Sequence, residues 1–554
     1  MTRSLPRLLR RAALTATAAL ATTVLVAGCA GATSPQSSGD SSGEPKSGGD
    51  ITFLIDSLGS SWIPNASSIS SYQGNIWGEV TDKLIYVDGE GNLSPWVADS
   101  WEQNDAATEF TIHLKDGVTF SDGSPVDAAA VAANIEVWAK GQPDKGIARV
   151  GLFPSANYVG AEAVDDATVK VTFSKPTLSF IPTLGYHGSI LISPDTLALS
   201  AEDQADLSQS IGSGPFVVQS WKDGDNVVLA KRDDYNWGPE ALGHTGAAYL
   251  DTITYKVVPE PTLRTGSVQS GQADVAFNAS PQELDALESE GFEIAVPRYL
   301  GFVNGYALRV SVAPFGDKAV RQAFSRGIDR DEILSTVYTK DWKAAESFVQ
   351  SNVPGATDHT DAFAYDPDLA TQLLDDAGWT VGADGVREKD GQKLSVTLYA
   401  NPYLATSKEI DELVAQQLAK IGFGVNIEAY DVLTYGQKVI GNATVAANEV
   451  TRSFIDIGTI PGVLTSTNPG DEDWFKVGTS DTTLNDLAAQ VASATDIESR
   501  AAVFDELQQY VLEEAYFVPI TQIVQRIYVQ TPDLKDVTYN GLAYANYYTA
   551  WLDR

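Results

Sequence analysis

The side chains that most often carry chemistry are scarce or scattered in this chain of 554 residues. It contains one cysteine and four histidines, which excludes a disulfide framework and a thiolate metal cluster and leaves little material for a histidine metal site. The 73 Asp and Glu residues supply carboxylate pairs by chance, and no His-Glu-x-x-His or Gly-x-Gly-x-x-Gly motif is present. We therefore expect no enzymatic activity, no bound metal and no cofactor.

The single cysteine, Cys29, ends a pattern typical of exported proteins. Four arginines and no acid stand among the first 11 residues, and residues 12–26 form an apolar run. This run is shorter than the about 20 apolar residues that a membrane-spanning helix needs. The ending Val26-Ala27-Gly28-Cys29 resembles the bacterial lipobox, in which the cysteine is lipidated and becomes the first residue. We predict a lipoprotein signal peptide at 1–28 and a lipid on Cys29; the alternative is a plain secretory signal with an incidental cysteine.

The segment after the cysteine has a different composition from the rest of the chain. Residues 29–49 are rich in Ser, Gly, Pro and Thr and contain no large apolar side chain. Such a segment cannot bury enough surface to fold by itself. We interpret it as a flexible linker between the membrane and a folded body that starts near Asp50.

The charge of the chain excludes one large class of partners. Lys and Arg total 37 against 73 acids, which gives a formal net charge of −36. A surface of this sign repels phosphate backbones and anionic lipid head groups. We therefore expect no nucleic-acid partner, membrane contact only through the lipid on Cys29, and a monomer.

Alternating strand and helix patterns indicate an α/β protein. Residues 109–114, 168–173 and 252–258 alternate apolar and polar side chains as half-buried strands do. Two strands, at 394–400 and 425–430, flank an amphipathic helix at 407–421, which predicts a right-handed βαβ crossover and a parallel sheet. Further helices are predicted at 280–290, with a capping box at Ser280, and at 366–378, and a hairpin turn at 88–92.

Several segments occur in an order and at separations that match a known family. They are residues 93–102 (LSPWVADSWE), 115–123 (KDGVTFSDG), 212–216 (GSGPF), 232–237 (RDDYNW), 270–274 (SGQAD), 315–324 (FGDKAVRQAF), 365–379 (YDPDLATQLLDDAGW) and 517–520 (FVPI). Together they resemble the peptide/nickel family, family 5, of solute-binding lipoproteins that serve ABC importers. We expect these motif residues to pack and turn the chain, with Arg321 tying a helix to a neighbour, and not to contact ligand.

The resemblance implies a two-lobed, type II periplasmic-binding-protein-like α/β fold with an extra subdomain in lobe one. Lobe one would combine residues 50–78, 212–300 and 525–554, and the extra subdomain would be residues 79–211. Lobe two would be residues 301–524. Ligand would lie in the cleft between the lobes, and their closure around it would present a surface to the permease.

The resemblance and the local composition also select candidate ligand-binding residues. Polar and aromatic side chains before the subdomain, at the lobe crossover and in lobe two form this set: Trp62, Tyr72, Asn75, Asn304, Tyr306, Arg452, Phe454 and Asp456. Relatives hold a peptide α-ammonium with an aspartate near this part of lobe two, so Asp456 is the proposed anchor; the alternative is a surface or hinge carboxylate. Arg452 would bind a ligand carboxylate or pair on the surface, and the aromatic residues line the pocket or the core.

Three functional hypotheses remain open at this point. The first is an extracytoplasmic, lipid-anchored receptor that delivers peptides to the permease and ATPase subunits of an ABC importer. The second keeps the fold and the importer but binds an oligosaccharide, a metal chelate or an opine-like compound. The third is an extracytoplasmic enzyme or sensor without an importer. The resemblance favours the first.

Overall fold

The computed structural model describes residues 43–554 apart from 60, 65–70, 405, 441, 451, 466–480 and 525. The predicted signal peptide, Cys29 and most of the predicted linker lie outside the described residues, as does the side chain of Tyr72. The described residues form one compact unit. Within the described part of the chain, no helix combines the length and apolar character that crossing a membrane would require.

A seven-stranded mixed sheet forms the centre of the first half of the fold, which we call lobe one. Its strands lie in the order Glu293–Ala295, Tyr528–Gln530, Val275–Phe277, Asp50–Ile55, Thr252–Val257, Asn226–Lys231 and Phe216–Lys222. Asp50–Ile55 is parallel to both of its neighbours, and the other pairs are antiparallel. The predicted alternation is observed, since Ile253 and Tyr255 are fully buried. Tyr528–Gln530 belongs to the end of the chain, so the C-terminus completes this lobe.

Three helical segments cover the seven-stranded sheet. They are Ser71–Val80, Pro261–Gln269 and the pair Pro281–Glu283 and Leu284–Ser289. The capping box predicted at Ser280 is wrong: its hydroxyl donates to Oε1 of Gln282 over 2.6 Å and caps no backbone N–H. The segment consequently opens with a 3-10 turn before the α-helix begins.

A separate four-stranded antiparallel sheet forms the extra subdomain. Its strands lie in the order Ala98–Gln103, Glu109–Leu114, Thr168–Phe173 and Tyr158–Asp165. The helix Ala128–Lys140 packs on it and begins where Oδ1 of Asp127 accepts the N–H of Ala130 over 2.8 Å. The predicted hairpin is also present, because Ile85–Val87 pairs antiparallel with Leu93–Pro95.

Two smaller sheets form the part of the fold that we call lobe two. In the first, Asn304–Leu308 lies between Ala447–Val450 and Phe517–Thr521, antiparallel to both. In the second, Ser395–Ala400 is parallel to Gly424–Ala429, and the helix Ser407–Ala419 connects them. The predicted βαβ crossover is confirmed, and the buried stripe of its helix includes Ile410, Val414 and Leu418.

The remaining helices of lobe two surround these sheets. They are Lys318–Arg326, Arg330–Val337, Pro367–Asp376, Val432–Lys438, Ile460–Thr465, Thr482–Ser493 and Ile497–Glu513. The tie predicted for Arg321 is confirmed, because its Nε donates to the carbonyl of Glu514 over 2.8 Å. Lobe two has a core of its own, which includes Phe315, Phe324 and Leu398.

Short elements complete the described chain. The strands are Thr380–Val381, Arg387–Lys389, Gln392–Lys393, Leu534–Lys535, Thr538–Tyr539, Ala545–Asn546 and Trp551–Leu552. The helical turns are Pro143–Lys145, Ser155–Asn157, Phe180–Thr183, Pro194–Ala198, Ala201–Gln204, Leu207–Gln209, Glu240–Leu242, Thr360–Ala362 and Ile457–Thr459.

Along the described residues, the chain passes between the two lobes twice. The first crossing segment, residues 296–303, connects Glu293–Ala295 to Asn304–Leu308, and the second, residues 522–527, connects Phe517–Thr521 to Tyr528–Gln530. The N–H of Leu300 donates to the carbonyl of Gly541 over 2.7 Å, and the N–H of Phe302 donates to that of Arg452 over 2.9 Å. The first crossing segment is therefore bonded to both lobes. The predicted lobe boundaries stay predictions.

Candidate functional site

Buried polar side chains collect where the crossing segments meet the two lobes. Asn304 begins the strand that follows the first crossing segment, and Arg526 lies within the second. Burying a polar group is costly unless it is hydrogen-bonded, so such groups at a junction need an explanation. Two clusters stand out, one on each side of the junction.

The cluster in lobe two is centred on the carboxylate of Glu449. Nδ2 of Asn304 donates to Oε1 over 2.6 Å, while the Ser407 hydroxyl and, over 3.2 Å, the N–H of Asn401 donate to Oε2. The fold positions these groups because Asn401 follows the strand Ser395–Ala400 and Ser407 begins the connecting helix. Three separate elements thus converge on one acid.

A second acid lies close to Glu449 in this cluster. Tyr306 stands opposite Glu449 in the antiparallel register, and its hydroxyl donates to Oδ1 of Asp411. Burial and the nearby charge of Glu449 raise the pKa of Asp411 to about 8, and burial raises the pKa of Glu449. Two buried carboxyl groups whose charges repel each other disfavour the state in which both are ionised. The cluster is therefore suited to hold a proton and to fix the strand end that carries Asn304.

The second cluster joins the extra subdomain to the C-terminal part of lobe one. The guanidinium carbon of Arg526 lies 4.0 Å from the centre of the Tyr544 ring. The centre of the His187 ring lies 5.8 Å from the centre of the same tyrosine ring. All three side chains are buried. Sequence reasoning missed this cluster, because no motif distinguishes His187, Arg526 or Tyr544.

A group of charges near the start of the extra subdomain is more self-contained. Asp82 accepts hydrogen bonds from the Tyr235 hydroxyl over 3.0 Å and from Nε1 of Trp237 over 2.8 Å. Burial raises the pKa of Asp82 to about 7 and that of Glu79 to about 8, and it lowers the pKa of Lys83 to about 8. Lys83 also lines a small cavity with Trp96, among others. Burial thus favours the neutral form of each of these three groups.

Of the predicted site residues in lobe one, Trp62 and Asn75 lie in the core. Trp62 is 2% exposed and packs edge-on against Trp77 and Trp221, with ring centres 6.1 and 6.2 Å away. Oδ1 of Asn75 accepts the Tyr528 hydroxyl over 3.1 Å inside the seven-stranded sheet region. Tyr72 belongs to the helix Ser71–Val80, and its side chain is not among those described.

The predicted residues of lobe two fall into separate environments. Asn304 and Tyr306 belong to the Glu449 cluster, whereas Phe454 is buried edge-on against Phe302 with ring centres 5.0 Å apart. Arg452 is half-buried, and its carbonyl accepts the N–H of Phe302.

Asp456 has a partner that the sequence did not indicate. Nη1 and Nη2 of Arg500 donate to its two carboxylate oxygens, and the N–H of Gly458 donates to Oδ1 over 2.8 Å. The carboxylate is already neutralised, so binding an α-ammonium would require it to exchange this partner. The anchor role of Asp456 stays a prediction.

No metal centre emerges from the described residues. Within those ranges, no group of three or more His, Cys, Asp or Glu side chains is arranged to hold an ion.

Comparison with known sequences identifies relatives along most of the chain. Residues 92–465 match the bacterial extracellular solute-binding proteins, family 5, middle part. The glutathione-binding protein GsiB of Salmonella paratyphi A is 28% identical over 370 residues, which are 67% of this chain and 65% of GsiB. GsiB of Shigella dysenteriae is 26% identical over 475 residues, covering 83% and 84%. The chain thus spans just under two thirds of the first relative's length.

Solved structures of similar fold cover nearly all of the chain. NikA from Brucella suis in complex with Fe(III)-EDTA has a TM-score of 0.78 at 24% identity, covering 91% of this chain and 100% of NikA. AppA from Bacillus subtilis in complex with a nonapeptide has a TM-score of 0.73 at 22% identity, covering 92% and 100%. The predicted α/β fold with two lobes, of the type II periplasmic-binding-protein class, is confirmed by these matches.

Proposed function

Because this chain belongs to the bacterial extracellular solute-binding proteins of family 5, we propose that it captures a peptide between its two lobes and delivers it to an ABC importer. The observation that carries the proposal is the pair of crossing segments, 296–303 and 522–527, that connects lobes with separate sheets. Two rigid bodies joined in this way can close around a solute by a hinge motion.

The proposed ligand class has support from the relatives, and a second class stays open. GsiB is named as a glutathione-binding protein, and the AppA structure contains a nonapeptide. The NikA structure contains Fe(III)-EDTA, so a fold of this kind also accommodates a metal chelate. A non-peptide solute such as a chelate, an oligosaccharide or an opine-like compound is therefore the alternative.

Ligand-driven closure sets an energetic requirement. A solute moves a two-state equilibrium only by its difference in affinity for the two states. Shifting the open and closed populations from 1:99 to 99:1 takes about 5.5 kcal/mol of that difference. The groups that supply it must contact solute in the closed state, and buried polar groups at the lobe junction are suited to this role.

The location we propose is the outer face of the cell membrane, through a lipid on Cys29. The support is the pattern of residues 1–29, with its arginines, apolar run and Ala-Gly-Cys ending. Expression of Cys29→Ser in a bacterial host should release the protein from the membrane fraction and abolish fatty-acid labelling. Unchanged membrane association of this variant would contradict the anchor without affecting the solute-binding role.

The solute-binding function is tested by identifying what the protein retains. A chain beginning at Ala30, which lacks the cysteine, is purified without denaturation and then unfolded, and the released small molecules are identified by mass spectrometry. Recovered peptides support the proposal, and a recovered sugar or chelate supports the alternative. If nothing is released, a thermal-shift panel of the same solutes follows; the absence of any stabilisation there would contradict both.

A further inference from the structure

Arg526 is a buried cation that forms no ion pair with an acid among the described residues. It lies in the second crossing segment between Phe517–Thr521 and Tyr528–Gln530, and only 3% of its surface is exposed. Among the described residues, no group accepts a hydrogen bond from its Nε or Nη1. A buried charge of this kind is costly unless it is paired and hydrogen-bonded.

Other buried arginines of the chain show how such a charge is normally satisfied. Arg264 donates to four backbone carbonyls over 2.7 to 3.0 Å. Arg330 donates to carbonyls that include those of residues 363 and 519, and Arg500 forms an ion pair with Asp456. Arg330 and Arg500 each keep one nitrogen without a partner among the described residues, whereas Arg526, in the segment that returns from lobe two to lobe one, keeps two and forms no ion pair with a described acid. The unused donors therefore point to a group that the protein itself does not provide.

Two further side chains beside Arg526 have unused polar atoms. The Tyr544 ring packs on the guanidinium, which holds it in place, and within the described chain nothing bonds to the Tyr544 hydroxyl. His187 lies between Tyr186 and Tyr544, with ring centres 4.0 and 5.8 Å away. Neither of its nitrogens has a hydrogen-bond partner among the described residues. Three neighbouring buried side chains thus have polar atoms without a partner among the described residues.

The balance of charge indicates which group would fit there. Burial and the charges of Arg526 and Lys83 hold the pKa of His187 well below its usual range, so its imidazole is neutral. Burial lowers the pKa of Lys83 to about 8, while the charges of Asp82 and Glu79 act to raise it. This leaves Arg526 as the one uncompensated charge of the cluster, which matches a single negative charge rather than a dianion such as phosphate.

We propose that Arg526, together with His187 and Tyr544, forms a subsite that binds a carboxylate group of the solute at the lobe junction. The subsite rests on the proposed solute-binding function and specifies which solutes it takes. The carboxylate is the C-terminus of a peptide, an acidic side chain, or the acid group of a non-peptide solute. Hydrogen bonds from charged donors to carboxylates are among the stronger ones in proteins. We therefore expect the carboxylate of the solute to contribute most of the affinity of the protein for that solute.

The first test needs no knowledge of the natural solute. Thermal unfolding of the chain beginning at Ala30 is followed in acetate and in chloride of equal ionic strength and pH. We expect acetate to raise the midpoint of the wild type and of Arg298→Gln, a control that removes a half-exposed arginine of the first crossing segment bonded to Ser351. Arg526→Gln should lose the acetate effect and, without a carboxylate present, should be no less stable than the wild type. An acetate effect equal in the wild type and Arg526→Gln would overturn the proposal.

The second test distinguishes the sources of the carboxylate. Wild type, Arg526→Gln and Tyr544→Phe are equilibrated with Ala-Ala-Ala, its C-terminal amide and Ala-Glu-Ala amide, and the retained peptides are quantified by mass spectrometry. We expect the wild type to retain at least one carboxylate form tenfold better than the plain amide, and Arg526→Gln to lose this preference. Equal retention of acid and amide would overturn the subsite while peptide binding stands. If none of these peptides is retained, the acetate experiment decides the subsite, and the identification of released solutes decides the peptide function.

Discussion

Arg500 and Asp456 form a bidentate ion pair, in which Nη1 and Nη2 of the arginine donate to Oδ1 and Oδ2 of the aspartate over 2.8 and 2.7 Å. The two side chains are 8% and 7% exposed. The pair connects the helix Ile497–Glu513 to the turn Ile457–Thr459, so it fixes the loop in which Phe454 and Asp456 lie.

Replacing Asp456 by Ala should lower the free energy of unfolding by about 3–5 kcal/mol, because Arg500 stays buried without its partner. Urea denaturation measures this loss. Asp225→Ala is the matched control, since it breaks an exposed pair with Lys222 and should change stability little. An effect of Asp456→Ala no larger than that of the control would contradict a structural role for the pair.

The same position tests the ammonium anchor. If the carboxylate only binds Arg500, folded Asp456→Asn should bind a free peptide and its N-acetylated form with an unchanged ratio of affinities. A tenfold loss restricted to the peptide with a free α-ammonium would instead support the anchor. Isothermal titration calorimetry of both peptides provides this comparison.

The buried acids Asp411 and Glu449 predict an unusual dependence of stability on pH. Both pKa values are raised, that of Asp411 to about 8, so the native chain binds more protons than the unfolded chain above pH about 4. Their contribution to stability is present at low pH and is lost as the pH rises towards 8. The slope is at most about 1.4 kcal/mol per pH unit for each extra proton.

Asp411→Asn should flatten this slope and should stabilise the chain relative to the wild type near pH 8. The amide oxygen can still accept the Tyr306 hydroxyl, so the hydrogen bond is retained. Glu412→Gln changes the neighbouring, exposed acid of the same helix and should leave the slope unchanged. Urea denaturation between pH 5 and 8 measures all three proteins; parallel slopes for wild type and Asp411→Asn would refute the assignment.

Substituting alanine for each of two glycines in the helix Ser71–Val80 should change the stability of the protein in opposite directions. A Cβ on Gly74 would lie 2.3 Å from Cζ of Tyr544, whereas a Cβ on Gly78 would meet no atom within 4 Å. Gly78→Ala should stabilise the helix by about 0.5–1 kcal/mol, because alanine loses less backbone entropy than glycine on folding. Gly74→Ala should destabilise the protein and displace Tyr544 from Arg526. The midpoints of thermal unfolding show whether each substitution stabilises or destabilises the protein. A stabilising Gly74→Ala would show that the Tyr544 ring moves freely.

Trp62 distinguishes a core aromatic residue from a pocket aromatic residue. Because it packs against Trp77 and Trp221, Trp62→Ala should lower the free energy of unfolding by about 3–5 kcal/mol. Tyr365→Ala, at a position that is 41% exposed, is the control for removing a ring from the surface. The milder Trp62→Phe should leave solute affinity within a few-fold, and a large loss of affinity in that folded variant would favour a place in the pocket.

Local patterns in the sequence were sufficient for many elements of the fold. The strands Glu109–Leu114 and Thr168–Phe173 were predicted with their observed ends, and the parallel pair around Ser407–Ala419 followed from the order of strand, helix and strand. These features depend on side-chain periodicity and on short connections, which the sequence displays directly. The ordered motifs identified the family for the same reason, since they are segments of contiguous residues.

Only the tertiary structure determined which distant residues meet. Tyr528–Gln530 enters the sheet between two strands more than two hundred residues earlier in the chain, Glu449 bonds Asn304 across 145 residues, and Arg500 reaches Asp456 across 44. The periodicity of apolar side chains along the sequence does not predict such contacts, because they arise when independently formed elements pack against each other. The partner of each acid, and the absence of one for Arg526 within the described chain, therefore depend on how elements distant in sequence pack together.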